Sequence, residues 1–531
     1  MSEEARYGTG RRLFRASLTV GSMTMISRVA GLVRDMVIAA MFGATANADA
    51  FFVAFRIPQF LRRLFAEGAF SQAFVPVLSE YQTTRSVAEV KALVDAVCGV
   101  LGAALLAVTA LAVVGAPVVT LIFAPGFIAM PAKMALTTEM IRITFPYLFF
   151  ISLTGFIGAV LNSYSRFAVP AFTPVFLNLT LIAGAVYGVQ YFEEPGLALA
   201  WAVFVAGLVQ FFFQLPFVAR IGMLPRPRFL PEHDGVRRIL GLMIPALFGV
   251  SVSQINLMLD TVLASFLPTG SVSWLYYAER LSELPLGVFG IAIATVILPG
   301  LSREFSSAAD TQYRHTLDWA IAMICMVAMP SAAALLLLGE PILVTLFQYG
   351  EMNARDTAMT SLSLGALALG LPAFMLIKVF ASAWYARQDT RTPVRIGIIA
   401  MVANMGLNLL FVIPLHSLWK IGHMGLALAT SMAAYLNAGL LCLGLARKGF
   451  YRIDRPLLLD LGRILLATLL LAAMLVLAGF WLEDLGRFGW GVRVWRLGVV
   501  CTLGAVVYFA ALLAMRPTFL ASGIRRVVGA V

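Results

Sequence analysis

Hydrophobic residues along this chain fall into fourteen long segments, separated by short polar stretches. Each segment approaches or exceeds the roughly 20 residues that a helix needs to cross the hydrocarbon core of a bilayer. The segments are continuous and lack the two-residue alternation of barrel strands, so they predict helices. The pattern therefore predicts an all-α polytopic membrane protein with about fourteen transmembrane helices, near residues 17–41, 50–78, 92–115, 134–161, 171–192, 197–219, 238–267, 272–300, 316–339, 357–385, 394–415, 424–446, 457–482 and 494–515.

Composition agrees with this prediction. Of the 531 residues, 60% are hydrophobic and only 12% are charged, whereas soluble domains carry about 25% charged residues. The net charge of +12 does not require a nucleic-acid partner, because Lys and Arg concentrate in alternate connections, as the positive-inside rule describes. That bias predicts a multi-pass protein with both termini in the cytoplasm.

Two motifs recur along the chain. AFVPVLSEY (73–81) after the second span resembles TVILPGLSREF (295–305) after the eighth, and LNSYSRFAVPAFTP (161–174) resembles AWYARQDTRTPV (383–394). Six spans separate the members of each pair. The repeat therefore predicts two six-helix bundles in the same orientation, related by a pseudo-two-fold axis along the membrane normal and enclosing a cavity.

The predicted organisation has five parts. They are a cytoplasmic N-terminal arm at 1–16, an N-terminal six-helix half at 17–220, a cytoplasmic linker at 221–237, a C-terminal six-helix half at 238–446, and two further helices with a cytoplasmic tail at 447–531.

Ionic residues interrupt the first two spans and the eighth, beginning with SRVAGLVRD (27–35). A charge at mid-bilayer costs about 2.5–3.5 kcal/mol, so several together are expected to line a cavity. Arginine predominates, and its planar guanidinium suits phosphate or carboxylate ligands. Internal pairing or snorkelling toward the headgroups is the alternative. The candidate substrate-binding residues are Arg28, Arg34, Asp35, Asp49, Arg56, Arg62, Arg63, Glu67, Arg280 and Glu283.

A second group of polar residues lies within spans seven, eleven and twelve: Asp260, Asn404, Asn408 and Thr430. Oxygen ligands without a neighbouring basic residue would suit Na⁺ or a proton. Polar contacts between helices are the alternative interpretation.

The sequence shows no motif for catalysis, with no G-x-S-x-G, Walker loop or H-E-x-x-H pattern. We therefore expect a transporter rather than an enzyme, driven by the membrane potential or an ion gradient and not by ATP. No cofactor is expected beyond Na⁺ or another coupling ion.

SRVAGLVRDMVIAAMFGA (27–44), ADAFFVAFRIPQFLRRLFAEGAFSQAFVPVLSEY (48–81), SVSQINLMLDTVLASFLPTGSVSWLYYAERL (251–281) and LFQYG (346–350) together resemble the MurJ (MviN) family of bacterial lipid II flippases. The resemblance covers essentially the whole chain. It implies the multidrug/oligosaccharidyl-lipid/polysaccharide exporter (MOP) fold and a location in the bacterial inner membrane. It also implies movement of lipid II, an undecaprenyl-pyrophosphate carrying the cell-wall disaccharide-pentapeptide, to the outer leaflet by alternating access.

The resemblance also implies roles for particular residues. The family's essential cavity charges match Arg28, Arg34, Asp49 and Arg280, and Arg62, Arg63 and Glu67 would line the same path. Some members have a sodium site that Asp260, Asn404, Asn408 and Thr430 would reproduce. The last two helices would frame a groove for the polyprenyl tail.

The partners implied are lipid II, membrane lipids and the cell-wall synthesis machinery. The alternatives are a flippase for another polyprenyl-linked glycan and a cation-coupled multidrug exporter.

Overall fold

The computed structural model describes residues 3–64, 70–287, 291–307 and 310–519, and the regular structure within these ranges is helical. Ten helical segments in these ranges are long and apolar enough to cross a membrane. The prediction of an all-α polytopic membrane protein is confirmed. The predicted spans at 17–41 and 238–267 also overlap helices, the described parts of the spans at 50–78 and 272–300 contain helices, and the count of fourteen stays a prediction.

The chain folds as two compact units, with the border between Gly270 and Ser271. The first unit contains α1 Glu3–Phe42, α2 Ala46–Leu61, α3 Ser71–Thr84, α4 Val87–Val114, α5 Ala116–Phe123, α6 Pro131–Thr144, α7 Tyr147–Ser163, α8 Ala168–Phe172, α9 Pro174–Ala183, α10 Gly196–Arg220 and α11 Asp234–Ser265. A π-helical turn, Gly184–Gly188, extends α9.

The second unit contains α12 Ser271–Pro285, α13 Ile291–Ser306, α14 Asp310–Leu337, α15 Gly339–Leu346, α16 Ala354–Ala386, α17 Arg391–Trp419, α18 Gly422–Arg447, α19 Arg455–Gly479 and α20 Trp490–Ala514. The repeated Pro-x-Leu-Ser motif lies in α3 and in α13, with Pro76 and Pro299 inside the respective helices.

Helix α11 packs on the first unit although the repeat places it in the C-terminal half. The Arg238 guanidinium lies 2.7 Å from Glu80 on α3, and Gly126 N–H donates to Ser265 Oγ at 3.0 Å. The division into two compact units does not test the division of the chain into repeats. The predicted boundaries at 220 and 238 therefore stay a prediction.

Side-chain hydrogen bonds cap the N-termini of several helices. Ser86 and Glu89 form a reciprocal capping box at the start of α4, and Asn353 and Asp356 form another at α16. Thr45 accepts a hydrogen bond from Ala48 N–H at α2. Each cap satisfies backbone donors that the first helical turn leaves without partners.

The connection after α10 is fastened to α4. Arg226 N–H donates to Asp95 Oδ1 at 2.7 Å, and Arg228 N–H donates to the Asp95 carbonyl at 3.1 Å. Gly99 permits this approach, since a Cβ there would lie 2.1 Å from the Arg228 carbonyl oxygen. The segment predicted as a plain linker therefore packs against the helices.

In the second unit, Arg387 after α16 lies against three aromatic rings. Its guanidinium carbon is 3.8 Å from the ring centroid of Phe450, 4.7 Å from Tyr313 and 5.0 Å from Phe305. Asp389 lies two residues after Arg387. Partial desolvation raises the pKa of its carboxyl group, but hydrogen bonds from Thr392 and Lys448 have the larger effect and hold the pKa below its usual value. These interactions join the ends of α13, α14, α16 and α18.

Helices α16 and α18 approach each other at Gly370. A Cβ on Gly370 would lie 2.4 Å from Ser431 Oγ and 2.8 Å from Ser431 Cα, and Ser431 Oγ donates to the Ala366 carbonyl at 2.7 Å. Small residues at such crossings let transmembrane helices pack closely.

We expect Gly370→Ala to destabilise the protein by about 1–3 kcal/mol, because the added methyl group overpacks this crossing. Thermal unfolding of the purified protein in detergent measures the effect. Gly439→Ala on α18 is the matched control, since a Cβ there has no neighbour within 4 Å. Equal unfolding temperatures for the two variants would contradict the argument.

Candidate functional site

The SRVAGLVRD segment forms part of α1, and its Arg34 and Asp35 are buried. Arg34 Nε and Nη2 donate to Asp35 Oδ1 at 2.9 and 2.6 Å, and Arg34 Nη1 donates to Asn178 Oδ1 on α9 at 3.1 Å. Asn178 Nδ2 in turn donates to the Ser27 carbonyl. The neighbouring charges pair despite their separation of about 100° around the helix, because the long arginine side chain folds back.

Asp49 at the start of α2 is 1% exposed and accepts two hydrogen bonds at one oxygen. Lys133 Nζ lies 2.7 Å from Oδ2, and Gly270 N–H donates to the same oxygen at 2.8 Å. Lys133 is itself buried and lies 4.2 Å from the ring centroid of Phe127. Asp49 therefore connects α2 to α6 and to the turn that follows α11.

Sequence reasoning missed Lys133. It precedes the predicted fourth span, in an external connection where a solvated lysine is expected. In the structure it lies in the first turn of α6, buried beneath the segment formed by α5 and a 3₁₀ turn, Pro125–Ala129. The acids of α1 and α2 give no indication of this partner, since the sequence already supplies enough arginines to match them.

The remaining arginines of this region are half-buried. Arg56 Nη1 donates to Thr261 Oγ1 on α11 at 2.7 Å. Arg62 and Arg63 follow α2, and Glu67 lies outside the described residues. Arg28 forms no ion pair or side-chain hydrogen bond with any residue in the described ranges. The predicted binding role of these residues stays a prediction.

In the second unit, Arg280 is half-buried and Glu283 is exposed. Arg280 Nη1 lies 3.3 Å from Glu283 Oε2, one turn further along α12. The same helix is held at its start by Trp274, whose Nε1–H donates to Asp356 Oδ1 at 3.0 Å. In the Arg280–Glu283 ion pair, the carboxylate lies at the surface and the arginine lies half-buried beside it.

The predicted ion ligands are divided between the two units. Asp260 on α11 is 3% exposed and belongs to the first, whereas Asn404 and Asn408 on α17 and Thr430 on α18 belong to the second. Asn404 and Asn408 are buried and Thr430 is half-buried. No group of three His, Cys, Asp or Glu side chains suited to a metal occurs in the part of the chain that the structure describes. The sodium site therefore stays a prediction.

Comparison with solved structures defines the class of fold. An inward-facing multidrug resistance MATE transporter of the MOP superfamily matches 82% of this chain and 98% of its own, with 14% identity and a TM-score of 0.63. A structure described as lipid II flippase MurJ in an inward closed conformation matches 96% of this chain and all of its own, with 27% identity and a TM-score of 0.78. The fold is that of a MOP-type transporter.

Sequence comparison narrows the class to a family. A family profile described as lipid II flippase MurJ matches residues 38–495. A probable lipid II flippase MurJ of Vibrio cholerae is 47% identical over 95% of this chain and 96% of its own length. A lipid II flippase MurJ of Burkholderia cenocepacia is 43% identical over 94% and 96%. This chain belongs to the MurJ family of lipid II flippases, as the sequence resemblance predicted.

We expect Asp49→Asn to destabilise the protein by about 3–5 kcal/mol, because it leaves the Lys133 ammonium buried without its counter-charge. Lys133→Met should destabilise it comparably. The double variant should be less destabilised than the sum of the two single variants, since it removes both charges together. Thermal unfolding in detergent measures all three. Additive effects would show that the two side chains do not stabilise each other.

Proposed function

We propose that this protein moves lipid II from the inner to the outer leaflet of the bacterial inner membrane, with both termini in the cytoplasm. Membership of the MurJ family supports lipid II as the substrate, and the distribution of charge in the first unit supports the mode of binding. No bond of the substrate is broken in this proposal, so the protein acts as a transporter and not as an enzyme.

The observation that carries the binding mode is the half-buried guanidinium of Arg28 on α1. Asp35 is engaged by Arg34, and Asp49 by Lys133. The half-buried Arg28 forms no ion pair or side-chain hydrogen bond within the described ranges, so its charge is available to an anionic ligand. A pyrophosphate carries the opposite charge, and its oxygens match the donors of the guanidinium group.

Arg28 is the residue we assign most directly to the headgroup. It lies about two helical turns before the buried Arg34–Asp35 pair, close to the Ser27 carbonyl that Asn178 holds. The Arg34–Asp35 ion pair and the Asn178 side-chain amide fix α1 at this point. The Arg28 side chain remains available to a ligand, whereas Arg34 is buried and positions the surrounding helices.

Alternating access would carry the headgroup across while the polyprenyl tail stays in lipid, with α19 and α20 framing the tail. The positive charge of Arg28 supports a drive by the membrane potential, because an inside-negative potential would return the empty carrier inward with about 2.3 kcal/mol per charge per 100 mV. Na⁺ bound by Asp260, Asn404, Asn408 and Thr430 is the second proposed energy source.

The charge also separates this proposal from its alternatives. A multidrug exporter for cationic compounds would be expected to place unmatched carboxylates in its binding site, and the likeness to MATE transporters supports the fold alone. A flippase for another polyprenyl-linked glycan would use the same phosphate contacts, and only the family argues for lipid II.

We expect Arg28→Ala to reduce outer-leaflet lipid II at least tenfold, since it removes a charge-assisted contact to the pyrophosphate. The measurement is made in bacteria depleted of their own flippase and expressing this protein. An externally added enzyme that cleaves lipid II reports how much substrate has reached the outer leaflet.

Arg452→Ala is the matched control, because Arg452 is exposed and lies in the connection between α18 and α19. Membrane abundance is measured for each variant. Cleavage at the wild-type level with Arg28→Ala would exclude the assigned role of Arg28. Absent cleavage with an abundant wild-type protein would favour another polyprenyl-linked cargo.

A further inference from the structure

A cavity of about 430 Å³ opens where α7 and α10 end in the first unit. Its wall includes Ser165, Arg166 and Phe167 from the connection between α7 and α8, and Phe217, Arg220 and Ile221 from the end of α10. The distribution of Lys and Arg along the chain predicts that both helix ends lie at the cytoplasmic face. None of these residues belongs to the charged site of α1 and α2.

The cavity is positively charged. Arg166 and Arg220 are both exposed, and no carboxylate lines the wall. Within the described ranges neither guanidinium forms a hydrogen bond or an ion pair, and the Arg220 guanidinium carbon lies 5.6 Å from the ring centroid of Phe217. Two guanidinium groups thus face one small space without a counter-ion from the protein.

The two helix ends weaken this charge but do not cancel it. A helix C-terminus contributes about half a negative charge, and two ends oppose two full positive charges. The terminal carbonyls are also engaged by backbone donors, since Arg166 N–H donates to the Leu161 carbonyl at 2.9 Å and Met223 N–H to the Val218 carbonyl at 3.1 Å. A net positive charge of about one remains for an anion.

The surroundings of the cavity are those of a membrane interface. Phe167 at its wall is exposed, and so are Leu224, Phe229 and Leu230 in the connection that follows α10. Arginines alternating with exposed apolar residues are typical of protein surfaces at the depth of the lipid headgroups. Basic pockets between transmembrane helices on the cytoplasmic side bind the headgroups of anionic lipids.

We propose that this cavity binds the phosphate of an anionic glycerophospholipid from the cytoplasmic leaflet. Arg166 and Arg220 donate hydrogen bonds to the phosphate oxygens, and the acyl chains remain in the bilayer beside Phe167 and Phe217. The bound lipid holds the ends of α7 and α10 at the level of the headgroups. The site is independent of the proposed flippase activity, which uses α1 and α2.

The test is native mass spectrometry of the purified full-length protein in detergent, titrated with phosphatidylglycerol. We expect the wild type to bind one lipid, and the variant Arg166→Gln/Arg220→Gln to bind it at least tenfold more weakly. The matched control is Arg452→Gln/Arg455→Gln, which removes two exposed arginines just before and at the start of α19, on the same predicted side. The control should bind within about twofold of the wild type, and thermal unfolding verifies that all proteins are folded.

Two further ligands identify what the cavity recognises. Phosphatidylcholine should bind more weakly than phosphatidylglycerol to the wild type, because its choline cation opposes the arginines, and inorganic phosphate at millimolar concentration should not displace phosphatidylglycerol. Displacement by phosphate would overturn the proposal in favour of a free-anion site. Equal losses of phosphatidylglycerol affinity in the two double variants would also overturn the proposal, since they would show only a general attraction of the lipid to the basic face of the protein.

Discussion

An ionised side chain within the hydrocarbon layer must be matched by another charge or by hydrogen bonds, and the first unit of this protein depends on that constraint. Arg34 joins Asp35 on α1 and Asn178 on α9. Asp49 on α2 joins Lys133 on α6 and the backbone at Gly270. Arg34 and Asp49 thereby connect helices that are distant in the sequence, and each connection restricts how those helices can shift.

Such pairs contribute little net stability, because the desolvation of two charges nearly offsets their attraction. Their effect lies in specificity. A displacement that separates the partners leaves a buried charge unmatched, which is unfavourable by several kcal/mol, so few alternative packings remain accessible. The same contacts neutralise Asp35 and Asp49 within the first unit. One arrangement therefore fixes the helices and keeps both buried acids matched.

The sequence was sufficient to predict the helices, the membrane class and the family, because apolar segments of about 20 residues and dense motifs depend on local composition. Lys133 could not be found this way, since its burial depends on how α5 and the following turn fold over α6. The packing of the 221–237 connection against α4 was likewise missed, because it depends on Gly99 lying beside a distant backbone. The binding of a headgroup by Arg280 stays a prediction, and so does the binding of Na⁺ by the side chains that are divided between the two units.

The two halves of the repeat differ in a way that bears on mechanism. Arg56 follows Asp35 by 21 positions, and Arg280 follows Asp260 by 20, so both halves place an acid in their first helix and an arginine in their second. Both acids are buried and both arginines are half-buried. The residue before Asp35 is the arginine that pairs with it, whereas the residue before Asp260 is Leu259. The acid of the first half is therefore matched within its own helix, and this ion pair moves with α1 as a unit. Asp260 has no basic residue within four positions along α11, so any counter-charge for it comes from another helix or from a bound cation.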